Sequence, residues 1–222
     1  MIGLITLGHS PRPDHEEVYD EITPGVPRKL VGALDRISCD EARKLEDKQG
    51  ISPLVCLLED ETTVEIPLPV LFPYIERKVE TLAAEGAHLA VVLCCGGFPD
   101  SNASIQVLLP GLIVPALVKA TCAEGKIGII VPNQAQESAA VAHWKELGIN
   151  TESAVVSPYE GVGFDEAGKN FRELKCDLVA IDCMGFKEEH RDRLSRDCGC
   201  PVILPKTLVA KVAGEMAGPR HP

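Results

Sequence analysis

Short apolar runs alternate with amphipathic segments along the whole chain. Buried strands are predicted at residues 2–7, 89–94, 127–131 and 177–183, because each is a near-continuous apolar run bounded by turn-forming residues. Further strands are predicted at 29–34, 153–156 and 202–204, a hairpin at 54–58 and 63–68, and helices at 14–21, 38–48, 71–85, 112–122, 134–147, 165–174, 187–196 and 207–216. Strands that alternate with helices predict parallel sheets with right-handed crossovers.

One motif occurs in both halves of this pattern. Residues 89–96 and 178–185 are each a buried strand ending in Cys-x-Gly. A second register aligns residues 95–98 with 183–186, so the sequence leaves open whether Cys94 or Cys95 corresponds to Cys183. Successive side chains of a strand point to opposite faces, and therefore Cys94 and Cys95 cannot both face one site while the strand continues.

The repeat predicts an α/β fold of two pseudo-symmetric lobes, each a mostly parallel sheet flanked by helices. We expect the first lobe to comprise residues 1–120 plus 205–222 and the second lobe residues 121–204. Ligands of open parallel sheets bind beyond the carboxyl ends of the strands, where both Cys-x-Gly turns lie. The expected site therefore lies between the lobes.

Two facing thiols suit proton transfer at a carbon beside a carboxylate. A thiolate would remove a proton from one face, and a neutral thiol would return one to the other face, without a cofactor. The glycines after each cysteine would let backbone N–H groups approach the substrate carboxylate. A single strand-end cysteine is more simply a small buried hydrophobic residue, but the matched pair favours function.

Composition narrows the function classes. The net charge is −11 and no basic cluster is present, which argues against nucleic acid. Nine cysteines, an odd number, and a first segment unlike a signal peptide indicate a reduced, cytoplasmic protein. No apolar run has the length of a membrane helix. The cysteine pairs lack the CxxC spacing of zinc sites, so no metal is expected.

Four segments carry a resemblance to a known family. Residues 3–14, 93–99, 128–132 and 182–186, with His190-Arg191, resemble the AroM family, within the aspartate/glutamate racemase-like superfamily. The resemblance covers nearly the whole chain and implies two pseudo-symmetric α/β lobes, with cysteines that act on small carboxylates or related carbon acids. It places the catalytic thiols at Cys94 and Cys183, and it implies a link to aromatic biosynthesis.

The chain departs from the racemases at three places. Gly8-His9-Ser10 stands where they have an Asp-Ser pair, Cys94-Cys95-Gly96 where they have Cys-Asn-Thr, and Cys183-Met184-Gly185 where they have Cys-Thr-His. The polar partners of an amino acid's ammonium and carboxylate groups are therefore missing. This argues against amino-acid racemisation and favours thiol chemistry on another acid.

Other residues are candidates for substrate binding. Arg12, in the loop after the first strand, could clamp a carboxylate bidentately, and Ser10 could bond the same anion. Asn133 opens a helix whose N–H groups could bind an anion, although a helix cap is the favoured interpretation. Lys206 is a possible carboxylate partner, with a surface lysine the simpler interpretation. The predicted binding set is Ser10, Arg12, Cys95, Gly96, Gly97, Asn133, Met184 and Gly185.

We therefore expect a cofactor-independent racemase, isomerase or decarboxylase that acts on a small carboxylate. The alternative is a non-catalytic binder of a small anionic metabolite linked to aromatic biosynthesis. A weaker alternative is a thiol redox protein that uses Cys94-Cys95 or Cys198 with Cys200. The sequence leaves a homodimer open.

Overall fold

The chain is an α/β protein of two compact units, as the sequence predicts. The computed structural model describes residues 1–50, 53–99, 103–158 and 163–218. The first unit comprises Met1–Pro110 with Val209–Pro222, and the second comprises Gly111–Leu208.

The first unit contains a four-stranded parallel sheet and a separate hairpin. In chain order its elements are β1 (Ile2–Thr6), α1 (Pro13–Ile22), β2 (Arg28–Gly32), α2 (Cys39–Arg43), β3 (Pro53–Leu57), β4 (Thr63–Pro67), α3 (Leu68–Ala84), β5 (Leu89–Val92) and β6 (Gln106–Leu108). The sheet order is β2-β1-β5-β6, with every pair parallel, whereas β3 and β4 pair antiparallel, which confirms the predicted hairpin.

Helix α3 buries its apolar face in the core of this unit. Its buried residues Leu71, Ile75, Val79 and Leu82 recur at helical spacing, and they share one cluster with strand residues such as Val92. Contacts of this kind, rather than helix propensity, supply most of a helix's stability in a folded protein.

Two predicted features of this unit differ from the structure. The capping box of Ser38 and Glu41 is present, but α2 ends at Arg43 rather than at residue 48. The chain leaves the helix to meet the hairpin, where the N–H of Asp47 donates to the carbonyl of Glu65. Strand β6 was not predicted, because its three residues are too few to show a pattern.

The second unit repeats the sheet of the first. Its elements are α4 (Pro110–Thr121), β7 (Ile127–Val131), α5 (Gln134–Glu146), β8 (Thr151–Val155), α6 (Phe164–Glu173), β9 (Leu178–Ile181), α7 (Glu188–Cys198), β10 (Val202–Ile203) and α8 (Pro205–Met216). Helix α4 begins one residue before the unit boundary, and α8 runs across it. The order β10-β9-β7-β8 is parallel throughout.

Strand β9 shows how the second sheet divides its side chains between two cores. Val179 and Ile181 lie in a cluster with Phe171 of α6. Leu178 and Ala180 lie in another cluster with Trp144 of α5. This period of two is expected of a parallel strand covered on both faces.

The two sheets have the same strand order in chain sequence. In each unit the first strand lies between the second and the third, and the fourth pairs with the third. Strand β5 therefore corresponds to β9, which confirms the predicted repeat. No helix in the described part of the chain is both long and apolar enough to cross a membrane.

Candidate functional site: two matched cysteine turns

The two Cys-x-Gly turns share the same contact between a glycine N–H and the cysteine sulfur. The N–H of Gly96 points at the sulfur of Cys94, with N and Sγ 3.3 Å apart. The N–H of Gly185 points at the sulfur of Cys183, also with N and Sγ 3.3 Å apart. A backbone N–H directed at sulfur favours the charged thiolate over the neutral thiol.

Hydrogen bonds at the strand ends settle the register of the repeat. The N–H of Leu93 donates to the carbonyl of Ile5 at 2.8 Å, and the N–H of Asp182 donates to that of Ile130 at 2.8 Å. Leu93 therefore corresponds to Asp182, and the next residue, Cys94, corresponds to Cys183. Both cysteines are partly exposed, whereas Cys95 is buried.

A side chain at either glycine of the turns would lie in van der Waals contact with the thiol. A Cβ added at Gly96 would lie 3.5 Å from Sγ of Cys94, and a Cβ added at Gly185 would lie 3.5 Å from Sγ of Cys183. The absent side chain keeps the space beside each sulfur open.

The hairpin supplies apolar neighbours to the first turn. Cys94 packs against the core cluster that contains Leu54 and Cys56 of β3. Burial raises the pKa of the Cys56 thiol, and the nearby Cys94 raises it further, so Cys56 is a neutral wall residue rather than a second base. Cys56 was missing from the predicted site because one buried cysteine in a strand carries no signal.

Apolar side chains also surround the second turn. Cys183 packs against a cluster that includes Phe186 and Leu204. Pro158 lies beside Gly185, since a Cβ added there would meet its ring at 3.3 Å. Both sulfurs therefore lie at the edge of an apolar core, next to backbone N–H groups.

Lys206 is a buried lysine, contrary to the surface position favoured from the sequence. It is 2% exposed, at the start of α8. Strands β9 and β10 are paired so that Ala180 is opposite Ile203. Cys183 lies two residues beyond the end of β9 and Lys206 lies three residues beyond the end of β10, so both follow the carboxyl ends of neighbouring parallel strands.

The charge of Lys206 acts on His190 of α7. Burial lowers the pKa of the His190 imidazole below its usual value, and Lys206 is among the cations that lower it further. The imidazole stacks on Phe164, with ring centroids 4.9 Å apart, and its Nδ1 accepts from the N–H of Lys187. His190 is thus packed into this unit rather than held free at the surface.

Asp182 faces away from the thiol that follows it. Although part of the residue is exposed, its carboxyl lies among protein atoms, and burial raises its pKa to about 6, against the opposing effects of Trp144 and His143. The Trp144 indole lies close enough to lower the pKa of this carboxyl, although within the described residues its Nε1–H forms no hydrogen bond of regular geometry.

Arg12 and Ser10 are engaged by carboxylates of the chain itself. Nε and Nη2 of Arg12 donate to the two oxygens of Asp14 at 2.8 and 2.9 Å. The N–H and Oγ of Ser10 donate to Asp35 at 2.8 and 3.0 Å. A substrate anion at either residue would have to share or displace these partners.

His9, beside Ser10, is a structural residue. It is 4% exposed, its Nε2 lies 3.0 Å from the carbonyl oxygen of Ile37, and its Nδ1 accepts from the N–H of Glu59. With both ring nitrogens engaged, it fixes the loop to the hairpin.

The remaining predicted binding residues lie in three different environments. Asn133 caps α5, where its Oδ1 accepts from the N–H of Gln136, as the favoured interpretation held. Cys95 and Met184 follow the two thiols directly and are buried, at 5% and 3% exposure. Gly97 is exposed beside the first turn.

Comparison with known proteins identifies the family of this chain. The AroM protein family matches residues 2–217. The chain belongs to the AroM family. No curated protein matches it.

Solved structures similar to this AroM-family chain include enzymes of three kinds. A double mutant of arylmalonate decarboxylase in its liganded form is 11% identical, with a TM-score of 0.64 over 100% of this chain and 95% of that one. Aspartate racemase from Picrophilus torridus is 14% identical, with a TM-score of 0.56 over 100% and 95%. Maleate isomerase from Pseudomonas putida S16 is 10% identical, with a TM-score of 0.57 over 97% and 90%. At these identities the likeness establishes the two-lobed fold.

A third group of cysteines lies apart from both turns. Sγ of Cys200 lies 3.3 Å from Sγ of Cys198. Burial raises the pKa of Cys200 to about 12, with the contact to Cys198 as the next cause, and burial also raises the pKa of Cys176. Little thiolate forms at Cys200 with such a pKa, which disfavours Cys200 as the attacking thiol of the redox alternative.

No metal centre is evident in the described residues. None of their His, Cys, Asp and Glu side chains form a group of three or more that could hold an ion.

Proposed function

We propose that this AroM-family protein is a cofactor-independent racemase, isomerase or decarboxylase that acts on a small carboxylate through Cys94 and Cys183. The observation that carries the proposal is the matched pair of turns. Each places a partly exposed sulfur at the carboxyl end of the third strand of its sheet, 3.3 Å from a backbone N–H.

The proposed step is a proton transfer at carbon. One thiolate takes the proton from the carbon beside the carboxylate, so that a C–H bond breaks and an S–H bond forms. The other thiol delivers its proton to the opposite face, which leaves a thiolate in its place and keeps the charge balanced. In a decarboxylation, the C–C bond to the carboxylate breaks instead and CO₂ leaves. A thiol protonates the resulting carbanion, and the thiolate that remains regains a proton from water. The N–H groups of Gly96 and Gly185 support the thiolate form.

Replacing either thiol should abolish the proton transfer. For Cys94→Ala and Cys183→Ala we expect exchange of solvent deuterium into a carboxylate's α-carbon to fall by about 10²-fold or more, the usual contribution of a general acid or base. NMR of a panel of small carboxylates in D₂O measures this exchange.

Cys122→Ala is the matched control, since Cys122 is also a partly exposed cysteine and lies in neither turn. Circular dichroism of each variant verifies the fold. Exchange at the unaltered rate in both turn variants would show that the thiols do not act in catalysis.

We further propose that Lys206 holds the substrate carboxylate. An ammonium group is a strong partner for an anion, and Lys206 and Cys183 both follow the carboxyl ends of neighbouring parallel strands. Lys206 is 2% exposed, so an interaction with an anion there would be little screened by water.

Removing this charge should weaken substrate binding more than it slows the chemical step. For Lys206→Met we expect KM to rise by about tenfold or more while kcat changes less, because the lost interaction is one of binding. Lys211→Met, at an exposed position of the same helix, is the control. A fall in kcat at constant KM would contradict a binding role for Lys206.

A non-catalytic anion binder is the second candidate function. Arg12 already binds Asp14, and residues 95–96 and 184–185 are not the polar partners of the racemases, so recognition of an amino acid is not provided for. Thermal-shift measurements with small carboxylates separate the two functions, because binding to the folded state alone raises Tm. Stabilisation without deuterium exchange for any stabilising ligand would favour the binder.

A further inference from the structure

A groove in the first unit is lined by one face of α3 and by the segment that follows β2. Its volume is about 800 Å³, within the range of small-molecule sites. Arg77, Lys78 and Tyr74 line it from α3, and Ala33, Arg36 and Ile37 line it from the other side. None of its lining residues belongs to either cysteine turn.

Most arginines outside the groove use their side chains as hydrogen-bond donors within the described chain. Those whose side chains donate to a carboxylate, a hydroxyl or a carbonyl are Arg12, Arg28, Arg43, Arg172, Arg191 and Arg193. Within the described residues, the side chains of Arg36, Arg77 and Lys78 donate no hydrogen bond and form no ion pair. Three cationic groups in one groove are notable in a chain whose net charge is −11.

The guanidinium of Arg77 is positioned without using its N–H groups. Its central carbon lies 4.5 Å from the centroid of the Tyr74 ring, a cation–π contact. The N–H groups at the edge of the plane stay available for bidentate bonds to an oxyanion.

Two acidic groups of this region accept hydrogen bonds from uncharged donors rather than from the cations of the groove. Both oxygens of Glu80 accept from Ser104, one from its N–H and one from its hydroxyl. Asp35 accepts from Gly32 and Ser10. Glu76 is the other acid that lines the groove. The cations are therefore not neutralised by ion pairs within the described chain.

The cations also repel one another. Partial burial lowers the pKa of the Lys78 ammonium, and the charges of Arg36, Arg77 and Lys29 lower it further, while Asp35 opposes them. A bound anion would relieve this repulsion.

We propose that this groove is a binding site for a small organic anion that carries two or more negative charges, held by Arg36, Arg77 and Lys78. The groove lies within one unit, and binding there requires neither thiol. The inference is therefore independent of the proposed chemistry at the cysteines.

Calorimetric titration with inorganic phosphate and with succinate, in low-salt buffer, tests the site. We expect saturable binding of at least one of them, which also distinguishes a phosphate-bearing ligand from a dicarboxylate. For Arg36→Gln combined with Arg77→Gln, and separately for Lys78→Gln, Kd should rise by about tenfold or more, as the loss of a charge-assisted contact implies.

Arg196→Gln is the matched control, because Arg196 is an exposed arginine outside the groove. Amide chemical-shift changes should fall on residues 73–81. Binding of neither anion, equal weakening by Arg196→Gln, or unchanged binding in the groove variants would overturn the proposal.

Discussion

At the scale of single residues, burial withdraws the ionisable side chains Lys206 and Asp182 from water. Lys206 and Asp182 lie near the ends of neighbouring strands of one sheet, and both carry groups that ionise. Charged groups are rarely withdrawn from water without a partner, because desolvation disfavours the charged form. Withdrawing the Asp182 carboxyl from water is therefore energetically costly when it is ionised.

The raised pKa of the Asp182 carboxyl should make the stability of the protein depend on pH. Its pKa in the folded state, about 6, lies above the usual 3.8, so ionisation opposes folding. Below about pH 4 the group is protonated in both states and no penalty exists. As the pH rises through about 6, the folded state loses stability that Asp182→Asn keeps. We expect the variant to be more stable than the parent at pH 8 by about 1–2 kcal/mol, allowing for partial exposure.

Urea denaturation between pH 4 and pH 8 measures this difference. Glu173→Gln, at an exposed position of α6, is the control. Its free energy of unfolding should differ from that of the parent by the same amount at every pH in this range. If the free energy of unfolding of Asp182→Asn differed from that of the parent by a constant amount between pH 4 and pH 8, the pKa of the carboxyl would not be raised by folding.

At the scale of elements, helices α6 and α7 pack closely because of one glycine. A Cβ added at Gly168 of α6 would lie 2.3 Å from Cβ of Asp197 and 3.3 Å from its Cα. The near contact includes backbone of α7, which cannot move aside as the tip of a flexible side chain can. The glycine therefore sets the distance between the two helices.

Gly168→Ala separates two opposing effects. Helix propensity alone favours alanine by about 1 kcal/mol. Overpacking against α7 costs about 1–3 kcal/mol, and with backbone in the contact we expect the cost to prevail. Thermal denaturation should show a lower Tm for Gly168→Ala, whereas Asn170→Ala, at an exposed site of the same helix, should leave Tm unchanged or raise it. An increase in Tm for Gly168→Ala would show that the helices separate freely.

Elements were predictable where local sequence determines them. The buried runs that became β1, β5, β7 and β9 needed no tertiary information, and neither did the capping box of α2. The end of α2 was not predictable, since a hydrogen bond between Asp47 and Glu65 links it to a strand later in the chain.

For the whole molecule, the sequence predicted the repeat but left its register open. The sequence alone supports two alignments of the Cys-x-Gly motifs equally well. The hydrogen bonds of Leu93 and Asp182 select one of them, which no count of residues could do. The burial of Lys206 and the cationic groove were likewise not predictable, because both depend on which segments fold against one another. The assignment of Cys94 and Cys183 as catalytic stays a prediction.

Trp144 gives the molecule an internal optical reporter. It is the single tryptophan of the chain, its side chain is fully buried in the core of the second unit, and its indole lies near the Asp182 carboxyl. Light absorbed by tryptophan alone is therefore emitted from this unit only. The emission reports both the integrity of that core and the ionisation of the carboxyl next to Cys183, without a label and without a substrate.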